Sequence, residues 1–179
     1  AVRVVNSLPT DRPIIFAPDK HLGAYTRRMT GRDLLLWDGV CEVHVDISVD
    51  KLKLLMGKHS GAKVVAHPEC PQYILAEADH IGSTASLLDF VQHDPGRIYI
   101  VATEAGILHA MQQVVPDKVL IPAPANVSNT CACSECPYMK LNTVEKIYLA
   151  LRDGTPEIVL PEPLRAAAER ALRRMLSLG

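Results

Sequence analysis

Several features are scarce in this sequence, and each scarcity narrows the class of protein to which it can belong. Aromatic residues make up 4% of the chain, so a surface on which nucleic-acid bases stack is not expected. The formal net charge is only −1, which argues against nucleic acid or an anionic membrane as the main partner. No apolar run is long enough to cross a bilayer and no signal peptide is present, so we expect a cytoplasmic protein without a membrane partner.

Evenly paired cysteines are also lacking, because the chain has five cysteines and three of them fall within residues 131–136. Such a set is a poor disulfide framework and is more typical of metal or redox chemistry. Only Cys133 and Cys136 have the spacing of a metal-binding knuckle, so this loop alone does not supply a standard metal site. Two interpretations stay open. Either the loop shares its ligands with a distant residue such as Cys41, or Cys136 forms a reversible redox pair with Cys131 or Cys133.

Short apolar runs alternate with helical periodicity along most of the chain. The runs at 14–17, 34–37, 62–66, 97–102 and 118–121 predict strands. Ser48 predicts the start of one helix, the turn at 82–84 predicts another, and Asn142 with Glu145 predicts a capping box for a third. Strands and helices that alternate through short links indicate parallel α/β units with right-handed crossovers.

The apolar run at 62–66 ends in a polar cluster that we expect to be the chemical centre. Pro68 stops the strand, so His67, Glu69 and Cys70 lie at its carboxyl end, where ligands bind in open α/β folds. An imidazole beside a carboxylate suits acid–base chemistry or metal ligation. The alternative is a structural pair, in which Glu69 caps a turn and the backbone satisfies His67.

Two further loops carry candidate functional groups. Cys41 and His44 are spaced for a metal ligand with a polar neighbour, although a single cysteine is more often a buried small hydrophobe. Ser83 and Thr84 begin a predicted helix, whose free N–H groups could bind a carboxylate or phosphate or could simply be capped. The residues at 103–106 have the same position after a strand and the same ambiguity.

Six motifs, taken in order, resemble the quinolinate synthase family over nearly the whole chain. They are FAPDKHLG at 16–23, WDGVCEVH at 37–44, HPEC at 67–70, ADHIGST at 78–84, TEAG at 103–106 and CPYMKLNT at 136–143. The resemblance implies an α/β fold of three-layer αβα units with parallel sheets, arranged about a pseudo-threefold axis in the full-length enzyme. Residues 1–42 would then be the carboxyl-terminal half of the middle unit, 43–137 the third unit and 138–179 a carboxyl-terminal helical segment.

The resemblance also implies an enzyme of de novo NAD biosynthesis that condenses iminoaspartate with dihydroxyacetone phosphate to give quinolinate. It implies a 4Fe-4S cluster whose open iron acts as a Lewis acid. Cys41 and Cys136 would be two of its ligands, and the third cysteine would come from a missing amino-terminal part, without which we expect this chain to be inactive. Cys70 would not be a ligand, and Cys131 and Cys133 resemble extra thiols of some members, for which a redox-sensitive disulfide is expected.

Individual roles follow from the same resemblance. Glu69 would be the acid–base residue, and His67 would assist proton transfer. The residues implied to bind substrate lie on three loops: His44, His67, Pro68, Glu69, Ser83 and Thr84.

Two other classes of protein compete with this interpretation. One is a zinc-binding structural or regulatory α/β module, with Cys131, Cys133, Cys136 and a further His or Cys as ligands. The other is an α/β module that binds an anion such as a sugar phosphate without catalysis.

Overall fold

The computed structural model describes residues 1–126 and 134–178, which fall into two compact units. The larger unit spans Pro13–Cys136 and holds every strand of the described residues. The smaller unit combines Ala1–Arg12 with Pro137–Gly179, and its regular elements are helical. Among the described residues, no helix combines the length and the apolar character that crossing a bilayer requires.

The strands of the larger unit form two parallel sheets. β1 pairs with β2 in one sheet, and the other has the strand order β4-β3-β5-β6. The strands are β1 (Ile14–Phe16), β2 (Leu34–Leu36), β3 (Lys63–Ala66), β4 (His80–Ile81), β5 (Ile98–Ala102) and β6 (Val119–Pro122). The prediction of parallel α/β units is therefore confirmed.

Helices precede, connect and follow these strands. Those of the larger unit are α2 (Lys20–Thr30), α3 (Glu42–Val45), α4 (Val49–Lys58), α5 (Gln72–Leu75), α6 (Thr84–His93) and α7 (Ile107–Val114). The smaller unit contains α1 (Val2–Asn6), a 3₁₀ turn (Met139–Leu141), α8 (Val144–Asp153) and α9 (Glu162–Leu176).

The four-stranded sheet is buried on both faces, which gives the three-layer arrangement expected from the sequence. Successive side chains of a strand point to opposite faces. Ile100 therefore joins one buried apolar cluster with side chains of α4 and α5, whereas Tyr99 joins a second cluster with side chains of α6 and α7. Burial on both faces explains why β3 and β5 are almost continuously apolar in the sequence.

Serine side chains start two of the helices where the sequence predicted them. The hydroxyl of Ser48 accepts a hydrogen bond from the amide of Lys51 at the start of α4. Ser83 accepts in the same way from the amide of Ser86 at the start of α6. Each serine satisfies an amide that the first helical turn would leave without a partner.

The capping box predicted for α8 is wrong by one residue. Thr143, rather than Asn142, is the N-cap, and its hydroxyl accepts from the amide of Lys146 at 3.1 Å. Glu145 consequently lies in the first turn and does not complete a capping box. Its negative charge there still interacts favourably with the helix dipole. Neighbouring residues that can both cap a helix make this boundary ambiguous in the sequence.

α5 is a helix of only four residues. α5 ends at Leu75, and the chain returns to the sheet at Asp79, whose amide donates to the carbonyl of Val64 at 2.8 Å. The Asp79 carboxylate also accepts from the amide of Val64 at 2.7 Å. These two bonds align β4 beside β3, and a two-residue strand is too short for a periodic pattern to reveal.

Asp94 organises a polar cluster at the amino-terminal side of the sheet. Its carboxylate accepts hydrogen bonds from the Tyr99 hydroxyl at 2.6 Å and from the Gly96 amide at 2.9 Å, and it pairs with Lys63. The hydrogen bond from Lys63, followed by that from Tyr99, lowers the pKa of Asp94 to about 2. A carboxyl group whose pKa is lowered on folding stabilises the fold above its unfolded pKa and ceases to do so as it is protonated.

We expect Asp94→Asn to flatten the acid side of the stability profile. In the unchanged protein, the free energy of unfolding should fall as the pH drops from about 4 to about 2, because the unfolded chain binds the proton first. The variant lacks this titration and should be less stable near neutral pH. Urea unfolding across this pH range checks the prediction, with Asp89→Asn as the control because Asp89 is an exposed carboxylate of α6. Parallel profiles for D94N and the unchanged protein would contradict it.

Candidate metal centre

Three potential metal ligands from two loops converge in the larger unit. Cys41 follows β2, His44 lies in α3, and Glu69 follows β3. One ligand atom from each lies within 4.8 Å of the other two. A thiol, an imidazole and a carboxylate at this separation can bind the same metal centre.

Gly39 determines the path of the backbone just before Cys41. A Cβ atom at this position would lie 2.4 Å from the carbonyl oxygen of Pro18. That oxygen belongs to the backbone, so it cannot move aside as the end of a flexible side chain would. The loop that presents Cys41 therefore requires glycine here.

His44 is held in place from one side and left without a hydrogen bond on the other. The residue is buried, and its Nε2 lies 2.9 Å from the hydroxyl of Thr103, which follows β5. Its Nδ1 lies 3.2 Å from a carboxylate oxygen of Glu69, but the direction of approach does not make a hydrogen bond. A buried nitrogen that is close to a carboxylate yet unsatisfied fits a place where a further group binds.

His67 stacks on His44 and also faces Glu69. The ring centroids of the two histidines are 4.8 Å apart, with 17° between the ring planes. Nδ1 of His67 lies 3.8 Å from the same Glu69 oxygen. The same nitrogen accepts a hydrogen bond from the backbone amide of Glu69 at 3.4 Å. The three residues thus form one compact acid–base cluster.

The environment favours a neutral histidine and an ionised glutamate. Burial lowers the pKa of His67, and the adjacent His44 lowers it further, against the opposing charges of Glu69 and Asp19. For Glu69, the neighbouring His44 nitrogen lowers the pKa more than partial burial raises it. Both side chains are therefore unprotonated near neutral pH, as a proton acceptor must be, and each is a weaker base than the free side chain.

Cys70 differs sharply from Cys41, although it is next to Glu69 in the sequence. Its side chain is fully buried, and its thiol donates to the carbonyl of Ala102 at 3.3 Å. Burial raises its pKa to about 12, so the thiol stays protonated. A protonated thiol in an apolar environment behaves as a small hydrophobe.

The remaining sequence-predicted residues lie outside the three-ligand group. Cys136 is partly buried, and its amide lies 3.4 Å from a carboxylate oxygen of Glu104, which follows β5. Ser83, the N-cap of α6, and Thr84, its first residue, are exposed, and Pro68 is buried beside Glu69. Cys131 and Cys133 lie outside the described residues.

Sequence reasoning did not assign a role to Thr103 or Asp19, which both contact the site. Thr103 bonds His44 from a position 59 residues away, so no local spacing could reveal the pair. Asp19 accepts the amide of Cys41 at 3.0 Å. The available signal was their position: each directly follows, or nearly follows, a predicted strand.

The donor set fits a metal cofactor in general terms. The partly buried thiol, the unsatisfied His44 nitrogen and the ionised Glu69 carboxylate lie around one point. Sulfur, nitrogen and oxygen donors of this kind suit iron and zinc better than magnesium or calcium. The fold and the site together define an α/β protein with a candidate metal centre at the carboxyl ends of its parallel strands.

Comparison with known proteins identifies the family. A family profile described as Quinolinate synthetase A protein matches residues 1–177. Over 179 residues the chain is 52% identical to the quinolinate synthases of Synechococcus sp. and Microcystis aeruginosa, and 51% identical to that of Trichodesmium erythraeum. The chain belongs to the quinolinate synthase family, as the sequence motifs predicted. The alignments cover the whole of this chain but only 56%, 56% and 55% of the length of those three relatives. The chain therefore spans about half of their length.

We expect Gly39→Ala to destabilise the loop that carries Cys41. The added Cβ forces the backbone away from Pro18, which should lower the free energy of unfolding by about 1–3 kcal/mol. Gly57→Ala is the matched control, because a Cβ there would meet nothing within 4 Å and Gly57 lies inside α4. That control should raise stability by up to about 1 kcal/mol. Urea unfolding of both variants measures the difference, and equal stabilities would contradict the constraint at Gly39.

Proposed function

We propose that this chain is the part of a quinolinate synthase that carries its acid–base residues. The complete enzyme would condense iminoaspartate with dihydroxyacetone phosphate, releasing phosphate and water and giving quinolinate for de novo NAD biosynthesis. Family membership supports the reaction, and the convergence of Cys41, His44 and Glu69 within 4.8 Å is the observation that carries the assignment of the site. Because about half of the relatives' length is not covered, the activity is proposed for the complete protein.

The proposed cofactor is a 4Fe-4S cluster, bound by Cys41, Cys136 and a cysteine from the part of the enzyme that this chain does not cover. When bound, the cluster would supply a Lewis-acidic iron for the oxygen groups of the substrate. In this proposal the three cysteines come from three separate parts of the enzyme. The described residues fit this, because Cys41 is the one cysteine of the group that includes Glu69. Cys70 is left out of the proposed ligand set, and the burial of its thiol supports that choice.

Glu69 is the proposed proton-transfer residue. Its carboxylate is one-quarter exposed, so substrate can reach it, and its lowered pKa keeps it ionised and able to accept a proton. His67 lies 3.8 Å from the same oxygen and, being neutral, can exchange a proton with the substrate or with Glu69. His44 stacks on His67 and is itself held by its bond to Thr103.

Substrate binding is assigned to the same loops. His44, His67 and Glu69 would contact the reacting part of the substrate, and Pro68 shapes the wall of the site between them. Ser83 and Thr84 would hold a substrate carboxylate. They begin the ten-residue helix α6, whose amide groups favour an anion at this end.

Glu69→Gln should abolish turnover without removing the metal. The amide has the same shape but cannot accept the proton, so we expect a loss of roughly 100- to 10,000-fold in the rate of quinolinate formation. Iron and sulfide content should stay unchanged, because none of the three proposed cysteine ligands is altered. Glu77→Gln is the control, since Glu77 pairs with Lys53 away from the cluster of histidines. Normal turnover in E69Q would refute the acid–base role.

Cys136→Ser should lose the iron, whereas Cys133→Ser should keep it. The two cysteines are three residues apart in the sequence, so the pair separates ligation from a general effect of replacing a cysteine in this segment. Iron, sulfide and zinc are to be measured anaerobically in the complete enzyme, with the absorption spectrum of each variant. Iron and sulfide that survive in C136S would move the ligand to a neighbouring residue.

A zinc-binding structural or regulatory module remains the second candidate function. The observation in its favour is the mixed cysteine, histidine and glutamate donor set, which zinc also accepts. The same analysis distinguishes the two candidates: zinc without iron in the unchanged protein would support the module and refute the cluster.

A further inference from the structure

The backbone amides of the two proposed cluster cysteines are each held by a carboxylate from a distant loop. The amide of Cys41 donates to Oδ2 of Asp19 at 3.0 Å. The amide of Cys136 donates to Oε1 of Glu104 at 3.4 Å. These contacts cross 22 and 32 residues of sequence, so they join separate segments rather than closing a local turn.

The second oxygen of each carboxylate fixes the loop from which it comes. Oδ1 of Asp19 accepts from the amide of Leu22 at 2.7 Å and thereby caps α2. Oε2 of Glu104 accepts from the amide of Gly106 at 2.7 Å, directly before α7. Each carboxylate therefore bridges the start of a helix and the amide of a cysteine.

A backbone hydrogen bond repeats beside each bridge. Lys20, which follows Asp19, donates its amide to the carbonyl of Gly39 at 2.9 Å. Ala105, which follows Glu104, donates its amide to the carbonyl of Ser134, also at 2.9 Å. Gly39 and Ser134 each precede their cysteine by two residues, so both segments are joined by the same pair of bonds in the same order.

Both segments also have a constrained residue at that position. Gly39 has no room for a Cβ beside the Pro18 carbonyl. Ser134 has a φ of 60°, in the left-handed region, and its buried hydroxyl donates to the carbonyl of Ala123 at 2.8 Å. A serine in this conformation is uncommon, and here its side chain is anchored to the end of the sheet.

We propose that Asp19 and Glu104 are positioning residues that fix the backbone of Cys41 and Cys136, so that each thiol is presented to the metal in a set orientation. The inference rests on the proposed function only for the identity of what the thiols bind. The cap that Asp19 forms on α2, and the bond of Glu104 to the Gly106 amide, occupy one oxygen of each carboxylate and leave the second contact unexplained. A preorganised ligand backbone also reduces the ordering that metal binding must otherwise impose.

Asp19→Asn and Glu104→Gln test the proposal in a matched way. An amide side chain keeps one accepting oxygen, so it can still accept the amide at the start of the helix that follows it, but its NH₂ group cannot accept the second backbone amide. Amide hydrogen exchange is to be measured residue by residue on the metal-free full chain, together with the iodoacetamide alkylation rate of each cysteine. Neither readout depends on the presence of a cluster.

We expect each variant to affect its own cysteine. D19N should speed exchange at the amide of Cys41 roughly 10- to 100-fold and change the alkylation rate of Cys41, with Cys136 unaffected. E104Q should do the reverse. Asp79→Asn is the control. The Asp79 carboxylate accepts a hydrogen bond from the amide of Val64 at 2.7 Å, so the substitution disturbs a similar bond that involves no cysteine. It should alter neither cysteine.

Unchanged exchange at the matching cysteine, or equal acceleration at both, would overturn the proposal. If D19N does not fold because Asp19 is buried, E104Q alone decides the matter, since Glu104 is only partly buried. The outcome is separable from that of the proposed cofactor. Selective loosening of each cysteine, in a protein whose complete form binds no iron, would uphold the positioning role and refute the cluster.

Discussion

The candidate site depends on the pairing of β3 with β5. Their parallel register ends with Ala66 opposite Ala102, and the next amide, that of His67, donates to the carbonyl of Ala102 at 3.1 Å. The two strands therefore end at the same level, so the loops that follow them begin side by side. Glu69 and Thr103 then reach His44 from adjacent strands. A shift of register by one residue would turn these side chains to the opposite face of the sheet.

Cys41 and Cys70 both lie near Glu69 but differ in chemistry, because they differ in burial. Cys70 is buried against the sheet, where its thiol donates a hydrogen bond to the Ala102 carbonyl and stays protonated. Cys41 reaches the site from a different sheet and remains partly exposed beside Glu69. The sequence shows two cysteines near polar motifs, and only the burial of each distinguishes a filler of the core from a candidate ligand.

Local sequence pattern predicted most of the fold, because most of its strands and helices show their own apolar periodicity or begin at a capping residue. The apolar runs located every strand except β4, which has two residues and is aligned by Asp79 rather than by its own sequence. The start of α8 was misplaced by one residue because Asn142 and Thr143 can both cap. Motif resemblance indicated Cys41, His67 and Glu69. It could not reveal that Thr103 orients His44, since that contact depends on how two distant loops meet.

The repeated bonds around Cys41 and Cys136 link the fold to the chemistry. A weak repetition of strand, polar loop and helix is typical of any α/β array and indicates nothing specific by itself. Here the repetition extends to particular bonds, because Asp19 and Glu104 each follow a strand and each hold a cysteine amide. A carboxylate can accept two amides at once, whereas a serine or asparagine cap commonly accepts one. The acidic residues at these two strand ends are therefore better explained by a joint role, in which each holds the start of the next helix and the backbone of a cysteine, than by the first contact alone.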